Sequence, residues 1–115
     1  MAIKMRLVQR FVLSRKREFM DLERQFATLE KSGALPQGRR MIPISGCQPG
    51  NTFIWEGHFE SIQKAEETLR LFETNPAHVT LFAQQSPLIE DTWVEFYEVL
   101  ELVTSVRKEP NSPRQ

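Results

Sequence analysis

The sequence predicts an α+β domain in which a four-stranded antiparallel sheet carries helices on one face. Three observations lead there. Two stretches alternate apolar and polar residues, IKMRLVQRFVL at 3–13 and TWVEFYEVLEL at 92–102, which is the period-two pattern of a strand. Two others repeat apolar residues at helical spacing, each behind a serine able to cap it. Turn chemistry between them separates two further strand-like runs, so the order reads β-α-β-β-α-(α)-β.

Each element has its own justification. In the first strand Ile3, Met5, Leu7, Phe11 and Leu13 share one parity with Gln9, while Lys4, Arg6 and Arg10 share the other with Val8 and Val12. One face is therefore apolar and the other mixed. Ser14 is expected to cap a helix over 15–32, whose Phe19, Leu22, Phe26 and Leu29 form a stripe and which Gly33 ends. The opening RKR lies poorly against the helix dipole. ALPQGRR is a loop, and RRMIPIS at 39–45 is a short strand that Pro43 places at a sheet edge. GCQPGN turns the chain into TFIWEGHFE, completing a hairpin over 39–60. Ser61 caps a second helix with Ile62, Ala65, Leu69 and Phe72 on its core side. Asn75 and Pro76 read as the cap and first position of a short third helix carrying Val79 and Phe82, closed by Pro87. The run 92–102 is the last strand. Residues 105–115, SVRKEPNSPRQ, have no apolar pattern and are expected to be a flexible tail behind a single domain over 1–104.

Composition sets the outer limits. A chain of 115 residues can bury one real core. Its single cysteine, Cys47, forms no internal disulfide and sits in a turn with no clear base beside it. No apolar run approaches a membrane span, and the charges Lys4 and Arg6 interrupt any signal-peptide pattern at the amino terminus. A cytoplasmic protein is expected. The formal net charge is zero, yet residues 1–40 carry ten Lys or Arg against four Asp or Glu, and residues 41–115 carry five against eleven. Halves of opposite sign pair within a fold or across a dimer more readily than they recruit a nucleic acid.

Right-handed crossovers turn this order into the ferredoxin-like split βαβ, with the strands in spatial order fourth, first, third, second. Helices cover one side of such a sheet. Phe53, Trp55, Gly57 and Phe59 are assigned to the helix side with Leu7 and Phe11. The other side then carries Arg6, Val8, Arg10, Val12, Ile54, Glu56 and His58, with Trp93, Glu95, Tyr97 and Val99 from the last strand. That second face is too apolar to leave in water and too polar for a plain core. A second copy of the same face would bury it.

The element order, together with TFIWEGHFESIQKAEETLRLFETNPAHVTLF and WVEFYEVLEL, resembles the dimeric α/β-barrel superfamily and, within it, the NIPSNAP-like group. A Trp-bearing strand, an aromatic-Glu-Ser turn into a helix and an Asn-Pro break carry the likeness. It implies two sheets facing each other in a homodimeric barrel, with a pocket between sheet and helices. Such relatives include cofactor-independent oxygenases, haem-degrading and peroxidase members, isomerases, and many with no known activity.

Candidate chemistry collects on the uncovered face. His58 is the candidate base, with Glu56 beside it and Arg10 to hold an oxyanion. Trp55, Arg6, Trp93, Glu95 and Tyr97 are the candidate ligand-binding residues. The competing reading of the same charges is cross-strand ion pairing in a dimer interface. Trp55 with His78 resembles the aromatic and His pair of haem-handling relatives, but the first strand has Gln9 where they have Asn, and His78 reads as a surface residue. Two histidines twenty positions apart make no metal motif, and neither metal nor cofactor is expected. RNA binding ranks behind these, since TFIWEGHF lacks the Lys/Arg-Gly-aromatic signature and Glu56 repels phosphate. The leading expectation is a homodimer that binds a small, mostly apolar organic ligand, as a cofactor-independent oxygenase or isomerase. The alternative is a non-catalytic dimeric binding module.

Overall fold

A computed structural model describes residues 2–102. The elements are β1 (Ala2–Phe11), α1 (Lys16–Lys31), β2 (Arg39–Met41), β3 (Thr52–Phe59), α2 (Ile62–Thr74), α3 (Pro76–Gln85) and β4 (Ile89–Val99), with 3-10 turns at Leu13–Arg15 and Ser86–Leu88. The strands form one antiparallel sheet in the order β2-β3-β1-β4. This is the α+β ferredoxin-like arrangement, and the strand order is the one the element order predicts. The expected tail at 105–115 lies outside the described residues.

Parity decides which residues meet the helices. Leu7 stands opposite Trp55 on β3 and Val94 on β4, whereas Arg6 stands opposite Glu56 and Glu95. The odd-numbered set enters the core: Met5, Phe11, Phe53 and Trp55 pack with Phe19 and Leu22 of α1 and Ala65 of α2. Phe11 stacks on Phe19 at 5.0 Å, and Phe19 meets Phe53 edge-on at 5.3 Å. Such aromatic pairs each add about 0.5–1.5 kcal/mol beyond their area.

Local chemistry explains the boundaries. Gly33 adopts φ +91° just past α1 and donates its N–H to the Glu30 carbonyl at 3.1 Å, the left-handed stop that a residue without Cβ takes most readily. Ser61 accepts from the Lys64 N–H at 3.2 Å, and Asn75 accepts from the His78 N–H at 3.0 Å with Pro76 following it. Ser14 does not cap α1. It lies within the 3-10 turn, the helix begins at Lys16, and no side chain caps its first turn. Instead Arg15 pairs with Glu18 at 2.9 Å, placing a carboxylate in the first turn and offsetting the basic start. β2 stops at Met41, ahead of Pro43, which cannot extend the ladder. β4 begins at Ile89, three residues earlier than its alternation suggests, with a register irregularity at Arg10/Phe11.

Candidate functional site

The two faces of the sheet carry two separate polar clusters. On the open face Glu56 is 1% exposed and is ringed by cations: Arg6 Nε donates to it at 3.0 Å, Arg39 Nη2 at 3.3 Å, and Lys4 Nζ stands at 3.7 Å. Burial would raise the Glu56 pKa, but these partners, Arg6 foremost, hold it below the ordinary carboxylate value. His58 Nε2 lies 3.6 Å from the same carboxylate with 59% of its side chain exposed. On β4 the Trp93 indole and the Tyr97 hydroxyl both donate to Glu95, at 2.8 and 2.6 Å, which lowers the Glu95 pKa. Arg6 lies over the Tyr97 ring at 4.9 Å and Arg10 over Trp93 at 5.4 Å. Arg10 also approaches Asp91 at 3.9 Å.

On the helix side the sheet and the three helices line a cavity of about 640 Å³ that opens to solvent on one side. Its walls are aromatic: Phe26 of α1, Phe53 and Trp55 of β3, Phe72 of α2 and Phe82 of α3. Val79, Phe82 and Val94, all exposed, stand at its mouth with Glu73. The volume falls within the range of small-molecule pockets, and a mostly apolar lining with a few placed polar groups is their usual composition.

Those polar groups belong to one network and one imidazole. Arg40 donates from Nε to Glu23 Oε1 at 2.9 Å, from Nη1 to Glu30 Oε1 at 3.1 Å, and from Nη2 to Glu30 Oε2 at 2.6 Å. Glu30 also accepts from Trp55 Nε1 and the Gly38 N–H, each at 3.1 Å. Glu23 accepts from Gln85 Nε2 at 2.8 Å. Burial raises the Glu23 pKa despite its hydrogen bonds from Gln85 and Arg40. Arg40 stays firmly charged because its bonds to Glu30 and Glu23 outweigh its own burial.

His78 stacks face to face on Phe72 at 4.6 Å and tilts against Phe26 at 4.7 Å. Burial lowers its pKa, with the Phe72 backbone and the Glu30 charge acting in the opposite direction. The ring is therefore neutral at physiological pH. Its Nδ1 is buried and has no hydrogen-bond partner among the described residues.

Among the predicted site residues, Trp55 alone lines the cavity. Arg6, Arg10, Glu56, His58, Trp93, Glu95 and Tyr97 lie together on the open face. His78 is not a surface residue: its ring is held between aromatic side chains. Sequence reasoning missed Glu23, Glu30, Arg40 and Gln85. A signal was present, because Glu23 and Glu30 flank Phe26 at i−3 and i+4 and so lie on the core side of α1. Arg40 stands opposite Trp55 in the β2–β3 register, and Arg39 opposite Glu56, so the pair of arginines divides between the faces. Among the described residues no three His, Cys, Asp or Glu side chains gather as metal ligands.

No protein-family model matches the sequence, and no curated protein does. Solved structures match the fold along nearly the whole chain. A NIPSNAP family protein from Agrobacterium tumefaciens superposes with a TM-score of 0.75 at 14% identity, covering 89% of this chain and 96% of its own. An uncharacterised NIPSNAP domain protein from Burkholderia xenovorans gives 0.68 at 16% identity, covering 90% and 99%. A candidate antibiotic biosynthesis monooxygenase from Deinococcus radiodurans gives 0.60 at 16% identity, covering 90% and 97%. The NIPSNAP-like resemblance carried by the Trp strand, the Glu-Ser turn and the Asn-Pro break is thus matched in three dimensions, as a likeness of fold.

Proposed function

We propose that the chain binds a small, mostly apolar organic molecule in the cavity under its helices and moves a proton on it, with His78 as the base. The observation that carries this is the His78 imidazole, which burial keeps neutral on the wall of an aromatic cavity large enough for a ligand. A base must be unprotonated at working pH and within reach of the ligand, and burial supplies the first condition. A ring nitrogen of His78 takes a proton from an acidic C–H of the ligand, leaving an enolate and an imidazolium. The Glu30 carboxylate favours that imidazolium. Return of the proton to a different carbon completes an isomerisation. In a cofactor-independent oxygenase the same carbanion would pass its electrons to dioxygen. The monooxygenase named among the solved structures of this fold supports that second branch by analogy alone.

In this reading Trp55 is a wall of the ligand site, and His58, Glu56, Arg6 and Arg10 belong to a face that a second copy covers. Its charges are already paired within the sheet, while Ile54, Trp93 and Tyr97 supply apolar surface between them. A surface so neutralised loses little on meeting its own copy. A reducing, cytoplasmic setting suits the one cysteine, Cys47, which is free and exposed. No helix among the described residues is long and apolar enough to cross a membrane.

The test is deuterium incorporation from D2O into 2-tetralone, an apolar carbon acid of suitable size, followed by NMR. Wild type should accelerate exchange, and His78→Ala should lose about a hundredfold of that acceleration while still binding the ketone. Binding without accelerated exchange in wild type would refute the base assignment and favour the alternative, a non-catalytic binding module.

A further inference from the structure

Resting on the cavity as a ligand site, a tally of its polar atoms narrows the ligand class. The donors are largely committed. Trp55 has one N–H, and it goes to Glu30. Both amide hydrogens of Gln85 are occupied, by Glu23 at 2.8 Å and by the Phe19 carbonyl at 3.4 Å. Arg40 uses three of its N–H groups on two carboxylates. Two remain, but on a guanidinium whose charge is already outnumbered.

The acceptors are not committed in the same way. Glu30 receives four hydrogen bonds and is saturated. Glu23 receives two, from Arg40 and Gln85, which leaves about half of a carboxylate's lone-pair sites open. Nδ1 of His78 has no partner among the described residues, but neighbouring atoms cover it and it offers the ligand nothing. Gln9 offers one group of each kind, and Glu73 adds another carboxylate at the mouth. Three carboxyl groups thus face one guanidinium along the lining.

We propose that the ligand of this cavity presents an N–H or O–H donor toward Glu23 and carries no carboxylate, so that the site takes hydroxylated or amine-bearing apolar compounds and rejects organic acids. A ligand that arrives as an anion would meet excess negative charge with no uncommitted cation to pair it, unlike an enolate formed in place, which the new imidazolium accompanies, and an unpaired buried charge is the costliest mismatch in such a site. A hydroxyl satisfies the open lone pairs of the Glu23 carboxyl. A protonated amine does so and also neutralises Glu23, whose burial otherwise favours its protonated form.

Four naphthalene probes test this by ligand-observed NMR titration: naphthalene, 2-naphthol, 2-naphthylmethylamine and 2-naphthoate. The naphthol and the amine should each bind about tenfold or more tightly than the naphthoate, the scale of one hydrogen bond to a charged group. In Glu23→Gln the advantage of the amine over the naphthoate should shrink by about fivefold or more, while the naphthol keeps most of its affinity. Naphthoate binding as tightly as the naphthol, with naphthalene also bound, would overturn the donor rule and leave the cavity reading standing. Failure of all four probes to bind would overturn both. An amine preference unchanged in Glu23→Gln would also overturn the assignment, because the negative wall would not be its source.

Discussion

Replacing Gly57 by alanine should destabilise the protein, and the sign of that change is the informative part. At an unstrained position a glycine-to-alanine change stabilises by roughly 0.4–1 kcal/mol, because it restricts the unfolded chain. Gly57 is different. A Cβ built there lies 2.7 Å from Cη2 and 2.9 Å from Cζ3 of Trp55, and 2.9 Å from Cε2 of Phe59. The indole has little room to retreat. Its N–H is bound to Glu30 at 3.1 Å, Phe72 abuts it edge-on at 5.7 Å, and Gly38 touches the opposite part of the ring so closely that it too admits no Cβ. Overpacking of this kind costs about 1–3 kcal/mol. For a domain of this size that corresponds to a fall in Tm of about 5–20 °C. Thermal and urea melts followed by circular dichroism would read it, with Gly50→Ala as the control, since nothing lies within 4 Å of a Cβ there. The double variant Gly57→Ala/Trp55→Phe should recover about 1 kcal/mol or more relative to additivity, because the smaller ring removes the clash. A Gly57→Ala protein as stable as wild type, or strict additivity with Trp55→Phe, would refute the clamp.

Truncating Trp55 to alanine should cost about 3–5 kcal/mol by the same melts, since the ring is buried against the helices and its loss also strips a donor from Glu30; a cost below about 1 kcal/mol would contradict that packing. The folded-state pKa of Glu23 is raised, so its protonated form is favoured by folding, and its contribution is fully present below the unfolded value and is lost as pH rises through the folded one. Glu23→Gln, which mimics the protonated form, should therefore gain stability relative to wild type as pH climbs from 4 toward 7, and a difference constant with pH would refute the shift. Light scattering at micromolar concentration should give the mass of two chains, with His58→Gln weakening association and leaving probe binding in the cavity unchanged. A single-chain mass for wild type would sink the sheet-to-sheet pairing.

Most of the scaffold was legible because it rests on short-range chemistry. Alternation in IKMRLVQRFVL and TFIWEGHFE placed β1 and β3 and sorted Trp55 from Glu56. Ser61, Asn75 and Gly33 act as caps and stop through the local bonds their side chains or φ values predict. The start of α1 was misread because Ser14 is a good cap in isolation, while the chain leaving β1 first makes a 3-10 turn. The cavity was not legible in the same way. A void has no periodicity, and phenylalanines lining one give the same pattern as phenylalanines filling a core. Glu23, Glu30 and Arg40 gave no short-range signal of pairing, because their hydrogen-bond partners lie 8 to 62 residues away in sequence. Only the sheet register brings Arg40 under the helices.

That register also accounts for why the two faces differ in what they can do. Arg39 and Arg40 are consecutive, as are Trp55 and Glu56, and the two pairs stand opposite each other on β2 and β3. Period-two geometry therefore sends one arginine with Glu56 to the open face and the other with Trp55 to the cavity. A slip of one residue would set Arg40 opposite Glu56 and send its guanidinium away from Glu23 and Glu30, leaving two buried carboxylates without a counter-charge. Buried ion pairs add little net stability compared with apolar packing, but breaking one is costly, so their effect here is to exclude the wrong pairing. On the open face the same arithmetic leaves little over: Glu56 and Glu95 are each met by several donors, and Arg6 and Arg10 lie on aromatic rings. Arg10 Nε and Thr52 Oγ1 remain buried there without partners among the described residues, and the rest of that face's charges are paired. On the cavity lining the open acceptor is Glu23, which receives two hydrogen bonds. A carboxylate with open lone pairs beside aromatic walls is what a ligand can bind, and that combination sets the cavity apart from the open face.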